Sequence, residues 1–119
     1  LKENIIKNKS FDFAVRVIGL YKYLKDEKKE YELSKQILKS GTSIGANVEE
    51  ADGGISKAEF SQKLSIAYKE AKETHYWPRL LVTSGYIEKN MFDSMIKDLD
   101  EITKILFAII KTTRINKKK

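Results

Sequence analysis

The sequence predicts an all-α fold, a four-helix bundle, on three observations. Four segments place apolar residues at steps of three and four, the period of a helix with one buried face. One proline and six glycines in 119 residues leave few points at which the chain can turn, so its elements are few and long. An apolar fraction of 41% beside a charged fraction of 34% belongs to a folded chain with a core, and 119 residues make one domain, spanning 1–119 with a basic tail at about 115–119.

The first helix is expected over about residues 10–25, with Phe13, Val17, Leu20 and Leu24 on one side and a short apolar lead at Ile5 and Ile6. The turn "KDEKKEYE" that follows is charged and expected to be solvated. The second helix is expected over 33–52, where Leu33, Ile37, Gly41, Ile44, Val48 and Ala51 form the stripe. Gly41 and Gly45 flank three residues on that packing side, and each costs up to about 1 kcal/mol relative to Ala in a helix. Close approach of a neighbouring backbone is the expected compensation, and it is how the stretch "GTSIGANVEEADGG" is read here.

Gly53 and Gly54 are expected to end that helix in the left-handed conformation, and Ser56 with Glu59 forms an S-x-x-E start signal for the next. The third helix is expected over 57–83, with Phe60, Leu64, Ala67, Ala71, Thr74 and Leu81 on one face and a kink at Pro78. The fourth is expected over 91–114, with Asn90 as N-cap and Phe92, Met95, Leu99, Ile102, Leu106 and Ile109 as its stripe. Two stretches carry more apolar residues than one core can cover. In the fourth helix these are Ile105, Phe107 and Ile110, and in the first Phe11, Val15 and Ile18, so self-association is expected.

Cysteine is absent, which removes disulfides and thiol chemistry and fits a reducing cytoplasm. No run of 18 apolar residues and no signal-peptide core is found, so neither a membrane span nor export is expected. A phosphate loop would need G-x-x-x-x-G-K-[ST] after a strand, and "GTSIGANV" has neither the spacing nor the Lys. A carboxylate-bridged metal site would draw on Glu49, Glu50, Glu70 and Glu73, but the single histidine, His75, follows Glu73 by two residues and faces another side. His75 shows no evident catalytic partner, and Ser40, Ser43 and Ser65 read as packing or capping residues. No enzyme, cofactor or metal is therefore expected.

Buried polar pairing is expected instead. Arg16 stands among apolar neighbours, and Asn47, Glu50 and Glu70 lie near the stripes of the second and third helices, where they are expected to satisfy it. Trp77 and Tyr76 read equally as core or interface residues and as a stacking platform.

The net charge of +6 is unevenly spread. Residues 1–48 hold ten Lys/Arg against six acids, residues 49–101 seven against eleven, and residues 102–119 six against none. Lys104, Lys111 and Lys118 recur at sevens with Arg114 beside them, and Lys22, Lys25 and Lys29 follow one face of the first helix. Brought together by identical subunits, these seven are the candidate phosphate contacts for RNA or DNA, with little dependence on sequence.

The string "SKQILKSGTSIGANVEEADGGISKAEFSQKLSIAYKEAKETHYWPRLL", with "KSFDFAVRVIGLYKYL" upstream, resembles the family of proteins encoded in intervening sequences of bacterial 23S rRNA genes. It is more distantly similar to the accessory variability protein of diversity-generating retroelements. The resemblance implies an antiparallel up-down bundle assembled as a homopentamer. For the retroelement relative it implies a basic surface for nucleic acid and a reverse transcriptase, a partner not carried over to this chain. Pro78 departs from the family pattern, which has Leu after the Trp. A non-enzymatic nucleic-acid-binding accessory protein is the expected function, with a protein-only scaffold as the alternative.

Overall fold

The computed structural model describes the backbone of residues 2–118 and the side-chain surroundings of residues 4–113. Four helices account for it: α1 Lys2–Asp26, α2 Leu33–Asp52, α3 Lys57–Thr83 and α4 Lys89–Lys118. α1 and α3 each pack on both α2 and α4, while among the described residues the backbones of the diagonal pairs α1/α3 and α2/α4 come nowhere within 8 Å between Cα atoms, which makes a four-helix bundle. It is a rod of 52 × 21 × 20 Å.

Contacts across the seams rise in number on one helix as they fall on the other. Lys7 meets Asp52 and Ser10 meets Gly45 across α1 and α2. Lys9 meets Glu101 and Arg16 meets Asp98 across α1 and α4, and Tyr68 meets Phe107 while His75 meets Asp100 across α3 and α4. Neighbouring helices therefore run in opposite directions.

The sequence stripes line the core. Val17, Leu24, Ile37, Ile44, Ala67, Ala71, Leu81, Leu99 and Leu106 are wholly inaccessible. Each Val, Leu or Ile removed from water contributes about 1.5–3 kcal/mol. Ile110 belongs to this core as well, so it needs no second cover, contrary to the expectation for the fourth helix.

α2 and α3 begin and end where the periodicity places them; α1 and α4 are longer. α1 already includes Lys2, because nothing between Lys2 and Ser10 breaks a helix, and the buried Ser10 lies inside it and donates its hydroxyl to the Lys7 carbonyl (3.2 Å). α4 starts at Lys89, with the Glu88 carbonyl accepting from Phe92 N–H (3.0 Å), so Asn90 lies inside the helix.

The first two turns are closed differently. The α1–α2 turn is not simply solvated: Glu30 is buried, and its carboxylate accepts from the N–H groups of Glu32, Leu33 and Ser34 at 3.1, 2.9 and 2.7 Å. It thereby satisfies donors that open the first turn of α2. Neither Gly53, at φ −87°, nor Gly54 takes the left-handed conformation expected of them; α2 ends instead with Gly54 N–H donating to Ala51 O at 3.0 Å. Ser56 accepts from Glu59 N–H at 3.0 Å to start α3. α3 runs unbroken through the buried Pro78.

Candidate nucleic-acid interface

One outward face of α1 carries Phe11, Val15, Ile18, Lys22 and Lys25, spaced at four, three, four and three residues and so aligned along the helix. Phe11, Val15 and Ile18 are 64, 55 and 40% exposed, because the opposite face, with Phe13, Val17, Leu20 and Leu24, is the one turned to the core. Gly19 flanks this outward face, and a Cβ built there meets nothing within 4 Å.

Lys22, Lys25 and Lys29 are all exposed. The Lys25 ammonium stands 5.2 Å from the Tyr21 ring centroid, a cation–π distance. Lys29 holds the turn at φ 54°, in the left-handed region. These lysines lie at the end of the rod where α3 turns into α4: Tyr23 and Lys28 share a hollow with Tyr86 and Asn90.

Lys104 and Lys111 are exposed on α4. Thr113 lines a hollow with Ile55 and Phe60, beside the α2–α3 turn, so this stripe runs to the opposite end of the rod. Within the chain the two basic stripes are not brought together. Lys104 also borders a hollow with Asp93, Asp100 and Glu101, which dilutes its positive field. The side chains of Arg114 and Lys118 lie outside the described residues.

Arg16, Asn47 and Glu50 do not pair with one another; each finds another partner. Arg16 does not turn to α2 or α3; it is half-buried and donates to Asp98 of α4 at 2.8 Å, because its place on α1 faces the α1–α4 seam. Asn47 donates to the Ser43 carbonyl at 2.8 Å, one turn back. Glu50 is exposed and meets Lys63 at 3.3 Å. Glu70 is partly buried, and that burial, with Glu73 beside it, raises its pKa above 4.5.

Gly41 faces Val17 and Gly45 faces the Ser10 backbone, where added Cβ atoms would lie 2.8 and 3.3 Å from the nearest atoms. Trp77 packs edge-on against Tyr76 with centroids 5.1 Å apart, and its Nε1 is buried without a hydrogen-bond partner.

His75 has partners that sequence spacing did not reveal: Nδ1 lies 2.8 Å from Ala71 O and Nε2 lies 3.0 Å from Asp100. The second is a tertiary contact, visible only once α3 and α4 are side by side. Among the described residues no three His, Cys, Asp or Glu side chains gather closely enough to hold a metal ion. Nor is any described helix long and apolar enough to cross a membrane.

A crystal structure of a protein of unknown function from the S23 ribosomal protein family of Bacteroides thetaiotaomicron VPI-5482 is similar to this chain. The two are 52% identical, the match covers 93% of this chain and 99% of that one, and the TM-score is 0.92. Comparison with curated proteins gives no match. A family model described as 23S rRNA-intervening sequence protein matches residues 2–108. The chain belongs to the 23S rRNA-intervening sequence protein family.

Proposed function

We propose that this protein is a non-enzymatic accessory factor that assembles with copies of itself and binds the phosphate backbone of RNA or DNA with little regard to sequence. The observation that carries the reading is the outward face of α1, apolar at Phe11, Val15 and Ile18 and basic immediately beyond at Lys22 and Lys25. Exposed apolar surface is penalised by about 25 cal/mol per Å², and a second copy laid on the apolar half removes it. The lysines of neighbouring copies then converge.

Potentials of like sign add, and a polyanion gains by releasing condensed counterions to such a surface. Gly19 supports the same assembly. A helix-interior Gly costs about 1 kcal/mol relative to Ala, nothing inside the subunit requires it, and a close neighbour from another copy would. Closure into a ring, a pentamer by family resemblance, would cover the apolar half of α1 in every copy.

Titrating labelled RNA and DNA with protein at several salt concentrations tests this. Affinity is expected to fall linearly on a log–log scale, with a slope of about −0.9 per phosphate neutralised on duplex DNA. Absence of binding at low salt, or affinity indifferent to salt, would leave the protein-only scaffold as the better reading.

A further inference from the structure

We infer that the end of the rod formed by the α1–α2 and α3–α4 turns is a site for an unpaired nucleic-acid strand, with Tyr23 and Tyr31 stacking on bases and Lys28 and Lys29 holding phosphates. The inference rests on the nucleic-acid reading above and narrows it to one substrate form and one place.

Aromatic rings and lysines lie there within a few residues of one another, with Asp26, Glu27 and Glu32 interspersed. Tyr23 and Tyr31 are 37 and 48% exposed, so both offer ring surface to a ligand. The Lys28 ammonium stands 5.9 Å from the Tyr23 ring centroid, which puts a cation beside a stacking platform. Such a pairing suits single strands, because only an unpaired base offers its π-face to a protein ring. A duplex keeps those faces stacked inside, and lysines alone serve it.

The hollow that Tyr23 and Lys28 share with Tyr86, Glu88 and Asn90 has a volume of about 370 Å³. Asn90 engages its Oδ1 with the Met91 N–H at 2.9 Å, which leaves its amide N–H groups for the edge of a base. Glu88 offers a carboxylate to an exocyclic amine. A flat ring with donors and acceptors on its rim is the ligand these groups match.

The turn that presents the lysines is tied by four hydrogen bonds. Glu30 N–H donates to Leu24 O at 2.9 Å, and the Glu30 carboxylate takes three backbone N–H groups of the following residues. Into this frame the sequence puts Lys29 at φ 54°, a conformation that Gly or Asn takes more readily. A lysine kept at a backbone position that disfavours it points to a use for its charge.

Fluorescence anisotropy with a short labelled oligouridylate, the matching oligothymidylate and a duplex of the same length provides the test. The single strands are expected to bind more tightly than the duplex. Tyr23→Ala and Tyr31→Ala are each expected to weaken single-strand binding by about five-fold or more and to leave duplex binding unchanged. Lys29→Gly is expected to raise the thermal midpoint while weakening both single strands, a combination that a purely structural residue would not give.

If wild-type protein binds all three probes equally, or if the tyrosine and Lys29→Gly variants bind single strands as wild type does, this site is overturned while the broader reading stands. If wild-type protein binds no probe at low salt, the broader reading fails and takes this one with it.

Discussion

Gly41 and Val17 meet without room for a methyl group between them: a Cβ on Gly41 would lie 2.8 Å from Val17 Cγ2 and 3.0 Å from Cγ1. Val17 is fully buried, so its side chain has little space into which to retreat. Gly41→Ala is expected to destabilise the bundle by about 1–2 kcal/mol, since overpacking a core outweighs the gain of up to about 1 kcal/mol in helix propensity. The urea midpoint reads this directly. An unchanged or higher midpoint would show that α1 and α2 are not held at this separation.

Gly19 provides the opposite case. Its surroundings within the subunit are open, so Gly19→Ala is expected to stabilise an isolated subunit by up to about 1 kcal/mol. In the assembled protein the same methyl group would stand in the interface, and a weaker self-association constant is expected alongside the higher subunit stability. Equilibrium sedimentation combined with urea unfolding separates the two effects.

Two carboxylates give opposite pH signatures. Glu101 accepts from Lys9 at 2.6 Å, and this hydrogen bond, reinforced by the ammonium charge, lowers its pKa below 4.5. Its contribution is present above 4.5 and is lost as pH falls through the lowered folded value. Glu101→Gln is therefore expected to be less stable than wild type at neutral pH, with the difference closing in acid. Burial raises the pKa of Glu70 above 4.5, so ionisation penalises the folded state as pH rises through that window. Glu70→Gln is expected to be more stable than wild type at neutral pH and to lose that advantage below about pH 4. Parallel acid-unfolding curves for the three proteins would contradict both assignments.

Arg16 and Asp98 bridge the α1–α4 seam at 2.8 Å, with side chains 34 and 44% exposed. Solvent screens a pair this open, so a double-mutant cycle with Arg16→Ala and Asp98→Ala is expected to give a coupling of about 0.2–1 kcal/mol that shrinks with added salt. A coupling of several kcal/mol that ignores salt would mean the seam is tighter and drier than described.

The helices were legible because their signals are local. The apolar stripes of α2 and α3, the two-glycine stop and the Ser56 start all act within a few residues, and both helices have the predicted bounds. The ends of α1 and α4 were not legible. A serine or asparagine caps a helix only when the preceding residues leave it, and "KENIIKNK" and "EKN" contain no breaker that would force them out.

Partners were the least legible feature. The sequence points Arg16 to Asn47, Glu50 and Glu70, yet its partner Asp98 is 82 positions away and becomes a neighbour only when α4 packs beside α1. His75 and Asp100 met for the same reason. The basic stripes were each readable as helix faces, but their separation to opposite ends of the rod follows from the antiparallel course of α1 and α4, which spacing within one helix does not encode.

Assembly requires that another copy cover the exposed apolar half of α1. Sedimentation equilibrium of the folded protein at micromolar concentration measures this directly against the single-chain mass of 13.7 kDa. The expected result is a mass several times that value, falling to the single-chain mass in the Phe11→Lys, Val15→Lys double variant with helicity retained. Wild-type protein that sediments as a stably folded single chain would contradict it.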